Sequence, residues 1–153
     1  MQQDPPQSSC PDFASVVRAA LPVGSSSQGP GVRARFLQDV ARTYRNPIVK
    51  IDIEDLEVVF RSVRSPSLGV GTASGENRAK MATQQAVREA SGPFPEHALI
   101  VLAFPPVDRR QSESKLARSL VLEQMEPDTF VICGLIEDER LARGTMRASV
   151  LFG

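Results

Sequence analysis

Between positions 46 and 79 the chain reads NPIVKIDIEDLEVVFRSVRSPSLGVGTASGENRA, and here the spacing of apolar residues changes period within a few turns of chain. No other stretch limits the fold as much. Pro47 ends any helix before it, because its ring and its missing N–H disfavour helical geometry at Asn46. Residues 48–51 are aliphatic except for Lys50 and predict a short loop or strand. From Asp52 the pattern is helical: Leu56, Val59, Phe60 and Val63 stand at i, i+3, i+4 and i+7 and form one apolar face. Glu54, Asp55 and Glu57 crowd the first turn, where unpaired N–H groups leave positive charge that favours carboxylates. Pro66 closes that helix. Leu68-Gly69-Val70-Gly71-Thr72-Ala73 then reads as a strand thinned by glycine, where another backbone or a helix side chain can come close. Ser74 is the expected N-cap of a second helix over 75–90, with Ala79, Ala82, Ala86 and Ala90 on one narrow, tightly packing face.

On either side of this stretch the patterning is simpler. Residues 1–11 are rich in Gln, Pro and Ser and are expected to be disordered. Asp12 is placed to cap a short helix over 13–21 with Phe13, Val16, Val17 and Leu21 on a shared face, and 24–31, GSSSQGPG, has the composition of a flexible linker. The basic segment VRARFLQDVARTYRN then predicts a helix that sets Phe36, Leu37, Val40 and Tyr44 along one side and Arg33, Arg35, Arg42 and Arg45 mostly elsewhere. Downstream, 98–104 is apolar at every position, as in a central strand covered on both faces, and Pro105 and Pro106 end it. A helix over 113–125 is expected to turn Leu116, Leu120 and Val121 inward and Lys115 and Arg118 outward. Strands are predicted over 129–136 and 145–152, with the charged loop 137–144 between them.

A chain of 153 residues supplies one domain that can bury a core without disulfide or metal support. Its 18 basic and 18 acidic residues balance, and neither sign forms a long run, which argues against nucleic acid and anionic membrane as partners. The start has neither a basic segment nor an apolar core, so it does not read as a secretory signal, and 98–104 is too short to span a bilayer. A cytoplasmic location is the resulting expectation. Cys133 lies within an apolar run and reads as a small buried hydrophobe, Cys10 sits in the tail, and neither has metal-ligand spacing. His97 stands beside a strand start without a partner nearby in sequence and reads as a surface residue. No metal or cofactor is expected.

Two motifs at a fixed offset resemble the second half of the FtsZ/tubulin family. The family's catalytic loop, Asn-x-Asp-x-x-Asp, opens a helix, and here that position reads Lys50-Ile51-Asp52-Ile53-Glu54-Asp55. Its later block, Gly-x-Gly-x-Ala-Ser-Gly-Glu-[Asp/Asn]-Arg-Ala, is similar to Gly69-Val70-Gly71-Thr72-Ala73-Ser74-Gly75-Glu76-Asn77-Arg78-Ala79. The likeness continues to the last residue and covers roughly the last two thirds of the chain. It implies an α+β domain, a mixed four-stranded sheet with helices packed on it, over 47–153. Residues 31–46 would be the remaining end of the family's central helix and 1–30 a tail with its linker. The family's nucleotide-binding half would be missing, and with it any nucleotide site of the chain's own.

Gly69, Gly71 and Gly75 invite a phosphate-loop reading, since a strand, glycines and a helix start can offer N–H groups to an anion. The spacing is Gly-x-Gly-x-x-x-Gly without Gly-Lys-[Ser/Thr], and the structural role is the one adopted. The resemblance gives Asp52 and Asp55 a sharper role. In the family the corresponding loop enters the nucleotide pocket of the next subunit and positions the attacking water, a contribution made in trans by placement and charge. Lys50 replaces the motif's Asn, and Glu57 stands where Arg is common. Without the resemblance, Asp52 is a helix cap and Glu54, Asp55 and Glu57 are solvated acids of a first turn.

The expected function is therefore interaction rather than catalysis. Lys50, Asp52, Glu54, Asp55 and Glu57 would dock on an FtsZ or FtsZ-like GTPase and cap or modulate its filaments. Self-association is a further possibility, through the apolar helix near Tyr44. Two alternatives stand beside this: a split half of an FtsZ-like GTPase active only with its nucleotide-binding partner, and a fold reused for an unrelated ligand.

Overall fold

The computed structural model describes residues 30–45, 47–49, 51–63, 66–90 and 95–153. The expected tail helix, residues 24–29 of the expected linker, Lys50 and the side chain of Tyr44 lie outside the described residues, while Pro30 and Gly31, expected to close the linker, open a helix instead. In chain order the elements are α1 (Pro30–Arg45), β1 (Pro47–Val49), α2 (Ile53–Ser62), β2 (Ser67–Ser74), α3 (Arg78–Glu89), β3 (His97–Phe104), α4 (Gln111–Leu122), β4 (Phe130–Glu137) and β5 (Thr145–Phe152). One mixed sheet joins the strands in the order β1-β4-β3-β5-β2. Only β3 and β4 run parallel, and α4 is the crossover that a parallel pair requires.

The α+β class and the mixed sheet follow the resemblance, with one strand more than the four expected. Pro47–Val49, open between loop and strand on sequence alone, pairs antiparallel with the outer side of β4. A proline can open such an edge because its missing N–H need not face a neighbour.

β3 explains why the domain has three layers. Every residue from Ala98 to Phe104 is fully buried, and alternate side chains enter different cores. Leu99, Val101 and Ala103 meet Phe36 and Val40 of α1 and Leu56, Val59 and Phe60 of α2. Ala98, Ile100, Leu102 and Phe104 meet the alanines of α3 and Ala117 and Val121 of α4. The apolar faces predicted for α2 and α3 are the buried ones: Leu56, Val59, Phe60 and Val63 on the first, and Ala79, Ala82, Ala86 and Ala90 on the second.

The seam between β2 and α3 needs two glycines. A Cβ on Gly69 would lie 1.9 Å from the Ala86 carbonyl oxygen, and one on Gly71 would lie 2.0 Å from that of Ala82. Backbone therefore packs on backbone, and any side chain at either position must push the helix off the sheet. Gly75 does a different job: its φ of +95° turns the chain from β2 toward α3 with open space around it.

Three local expectations are overturned. Ser74 is the last residue of β2 rather than the cap of α3, and its hydroxyl is 2.8 Å from that of Thr145 on β5. The helix starts only at Arg78, because the full-length pairing of β2 with β5 carries the strand through Ser74. On α4 the inward line is Glu113, Ala117 and Val121, while Leu116 is exposed. The buried Arg78 of α3 pulls Glu113 inward and so sets the rotation of the helix. His97 is half-buried within β3, with its ring edge-on to Phe130 at 6.5 Å, rather than free on the surface.

Candidate interaction site

The acidic turn is held from below by two apolar anchors. Ile51 is buried and sits where a Cβ on Gly134 would come within 2.6 Å of its Cδ1, so the bare backbone of β4 makes room for it. Leu56, also buried, fixes the first turn of α2 on the same core. Between these anchors Asp52 takes an extended backbone conformation, and its Oδ1 accepts from the Glu54 N–H at 3.1 Å. Its carbonyl accepts the first helical bond from the Leu56 N–H, also 3.1 Å. Asp52 is thus the N-cap of α2, one of the residue types that satisfies the otherwise unpaired N–H groups of a helix start.

The structure brings Asp52, Glu54 and Asp55 together as exposed side chains on one turn. No salt bridge reaches any of the three among the described residues. Glu57 is turned aside: it is half-buried and its carboxylate lies 3.6 Å from Arg61, one helical turn on. Exposed Val58 continues the outer face of α2, and exposed Val49 lies on β1 just before the turn. Three acids carried on a helix start, with no salt bridge to another described residue, form a surface that attracts a cationic or N–H-rich partner. No group of three His, Cys, Asp or Glu among the described residues is arranged to hold a metal ion.

Gly69, Gly71 and Gly75 do not form an anion cradle. The first two are buried beneath the carbonyl oxygens of Ala86 and Ala82, which would repel a phosphate, and the N–H of Gly75 is donated to the Gly144 carbonyl at 3.2 Å.

The spacing of apolar residues does not mark two buried charge networks that hold the helices on the two faces of the sheet. In the first, Arg78 of α3 is 4 % exposed. Its Nε and Nη2 donate to Glu113 at 2.7 and 2.8 Å, its Nη1 to Asp108 Oδ2 at 2.9 Å, and its Nη2 also to the Asp108 carbonyl at 2.9 Å. Its guanidinium also lies 5.7 Å from the centre of the Phe104 ring. The Glu113 hydrogen bond is the main reason its pKa is raised further, against the opposing pull of burial. Asp108 additionally accepts from the Gly144 N–H at 2.8 Å, which with the Arg78 bond lowers its own pKa. Arg78 thereby ties α3 to α4 and to the turn before α4, and Asp108 carries the link on to the turn before β5.

The second network joins α1 to the sheet. Arg147 of β5 donates to both carboxylate oxygens of Asp39, at 2.9 and 2.7 Å, and to Asp138 at 2.8 Å, while Ser149 donates to Asp39 at 2.8 Å. Arg42 approaches Asp138 to 3.2 Å from the solvent side. Burial alone would push the Asp138 carboxyl up, but the bond from Arg147, the N–H of Arg140 and the charges of Arg147 and Arg42 hold it at about 2. Two sequence signals could have found this network: Asp39 falls on the same helical side as Phe36 and Val40, and Arg147 and Ser149 alternate with buried apolar residues in β5. At Cys133, burial pushes the thiol up to about 11, in keeping with a structural role.

No protein-family model matches the chain. In sequence it is 28% identical over 108 residues to the cell division protein FtsZ of Rhizobium radiobacter, and 28% identical over 108 residues to FtsZ 1 of Rhizobium meliloti (strain 1021). Each match takes in 68% of this chain and 18% of the relative, so the chain spans less than a fifth of the length of these proteins. Among solved structures, the empty FtsZ dimer of M. jannaschii superposes with a TM-score of 0.69 over 90% of this chain and 42% of that one, at 18% identity. CetZ2 from Haloferax volcanii, solved as a GTPgS-bound protofilament, gives 0.57 over 92% of this chain and 48% of that one, at 16% identity. The fold is that of the C-terminal domain of FtsZ. That domain does not contain the GTPase site, and no helix among the described residues is long and apolar enough to cross a membrane.

Proposed function

We propose that this chain is a non-enzymatic, FtsZ-like interaction domain that docks by its Asp52 face on the nucleotide-bearing end of an FtsZ-type subunit and caps or modulates the filament. The single observation that supports this most is the presentation of Asp52, Glu54 and Asp55 on a rigidly anchored, solvent-facing turn, without salt bridges among the described residues. Buried acids elsewhere in the domain are paired, so these three are available to a second molecule. The glycine seam supports a packing role for Gly69 and Gly71 rather than phosphate binding, because their backbone is consumed in packing α3 on β2. A filament end covered in this way would be closed to the next subunit, and the action belongs to cell division in the cytoplasm.

The test is a titration of this protein, from well below to above equimolar, into FtsZ from the same cell, reading pelleted polymer and GTPase rate together. Loss of polymer at substoichiometric ratios is the expected result; no change in either quantity overturns the reading. Asp52→Asn with Asp55→Asn keeps an N-cap acceptor while removing two charges. Capping is expected to survive that change while any stimulated hydrolysis shifts. Loss of binding would make the turn the interface itself and remove the contribution to hydrolysis in trans.

A further inference from the structure

The two edges of the sheet differ in length and in how they are closed. β1 is three residues long and opens with Pro47, whereas β2 is eight residues long and, among the described residues, pairs only on its β5 side. A strand edge of that length offers a row of N–H and C=O groups to any other strand. Two of the outward N–H groups of β2 are nevertheless occupied. That of Val70 donates to Glu89 Oε2 at 3.2 Å and that of Thr72 to Gln85 Oε1 at 3.3 Å.

Both acceptors come from α3, and the match is one of pitch. Two residues of strand advance about 6.7 Å and four residues of helix about 6.0 Å, so side chains four apart on α3 fall opposite alternate N–H groups of β2. The backbone contact at Gly69 and Gly71 brings the helix close enough for those side chains to reach around the edge.

We propose that Gln85 and Glu89 form an edge lock: together they stand in for a neighbouring strand and keep β2 from pairing with β2 of a second copy of this chain. A second copy is the natural occupant, because antiparallel pairing across a two-fold axis lets one segment supply both sides of the joint. Such pairing would also cover Met81, which is 57 % exposed beside a recess of about 270 Å³ bordered by Thr72, Ala73 and Gln85 along the same edge. The inference does not depend on docking through Asp52, which caps α2, in the other helical layer.

The test uses the full chain carrying Gln85→Ala and Glu89→Ala. Both sites are exposed on a helix, where alanine favours the fold. Sedimentation over a rising concentration series is expected to show self-association at least about tenfold tighter than in the unaltered chain, since the two-fold pairing draws on two freed edge N–H groups from each copy. Hydrogen exchange at the Val70 and Thr72 amides is expected to be faster in dilute variant and slower as concentration rises. Adding Thr72→Pro, which removes one outward N–H, is expected to return the variant to the behaviour of the unaltered chain. Equal association of variant and unaltered chain, or association that Thr72→Pro does not reverse, overturns the proposal. So does unchanged exchange at the two amides, a readout that needs no second variant.

Discussion

Two sets of carboxylates in this domain face opposite fates. Asp39, Glu113 and Asp138 are buried, and each is met by arginine at hydrogen-bonding distance. Asp52, Glu54 and Asp55 sit together in water on α2, without salt bridges among the described residues. The same chemical group holds the domain together in one place and is presented to solvent in the other. What separates them is the cost of desolvation: a carboxylate taken out of water must be paired, while one left in water can stay available for a partner.

Breaking the buried set should therefore cost far more than breaking the exposed one. The largest effect is expected for Arg78→Ala, which leaves Glu113 buried without its cation and frees Asp108. Removing one member of a buried pair costs about 3–5 kcal/mol, and chemical denaturation should show a loss of that order with α4 loosened first in hydrogen exchange. A loss below about 1 kcal/mol would place Arg78 with the surface pairs instead.

A smaller effect is expected from acid. The Asp138 carboxyl is lowered from 3.8 to about 2 in the folded chain, so its contribution is fully present above the higher value and lost as pH falls through the lower one. With Arg42 partly exposed to solvent screening, that contribution is about 1–2 kcal/mol. Stability measured for the unaltered chain minus that of Asp138→Asn should decline between these two pH values and be flat above them. A difference that is already flat across that window would show that the pairing does not depend on the charge of Asp138.

The smallest effects belong to the exposed turn. Asp52→Ala removes the cap bond to the Glu54 N–H and should cost about 1 kcal/mol, whereas Asp52→Asn keeps an acceptor and should cost a few tenths. Thermal melts of the two variants separate the cap from the charge. If Asn were as costly as Ala, the negative charge at the helix start would be the stabilising feature, and the turn would belong to the scaffold as much as to the site.

The exposed half of this contrast is legible in the sequence. The helical spacing of Leu56, Val59, Phe60 and Val63, with Asp52 before them, places the exposed acids on a capped first turn, and the cap bond is present. The alanine line of α3 and the unbroken apolar run of β3 likewise mark the core faces. The buried acids are not legible in the same way. By spacing alone Glu113 is one more solvated residue of a helix start, and Leu116 is its inward anchor. Arg78, 35 positions away, reverses those roles.

The sequence by itself determined the helices and the long strands, and the apolar sides of α2, α3 and β3, because period, caps and prolines act over a few residues. It also carried the two motifs by which the FtsZ-like fold could be recognised. Tertiary structure alone decided that Pro47–Val49 becomes an edge strand, that Ser74 stays in β2, and that Asp39 meets Arg147 across 108 positions. Those outcomes depend on which surfaces the fold brings together and seals from water. An unpaired charge or backbone group becomes costly only once water has left.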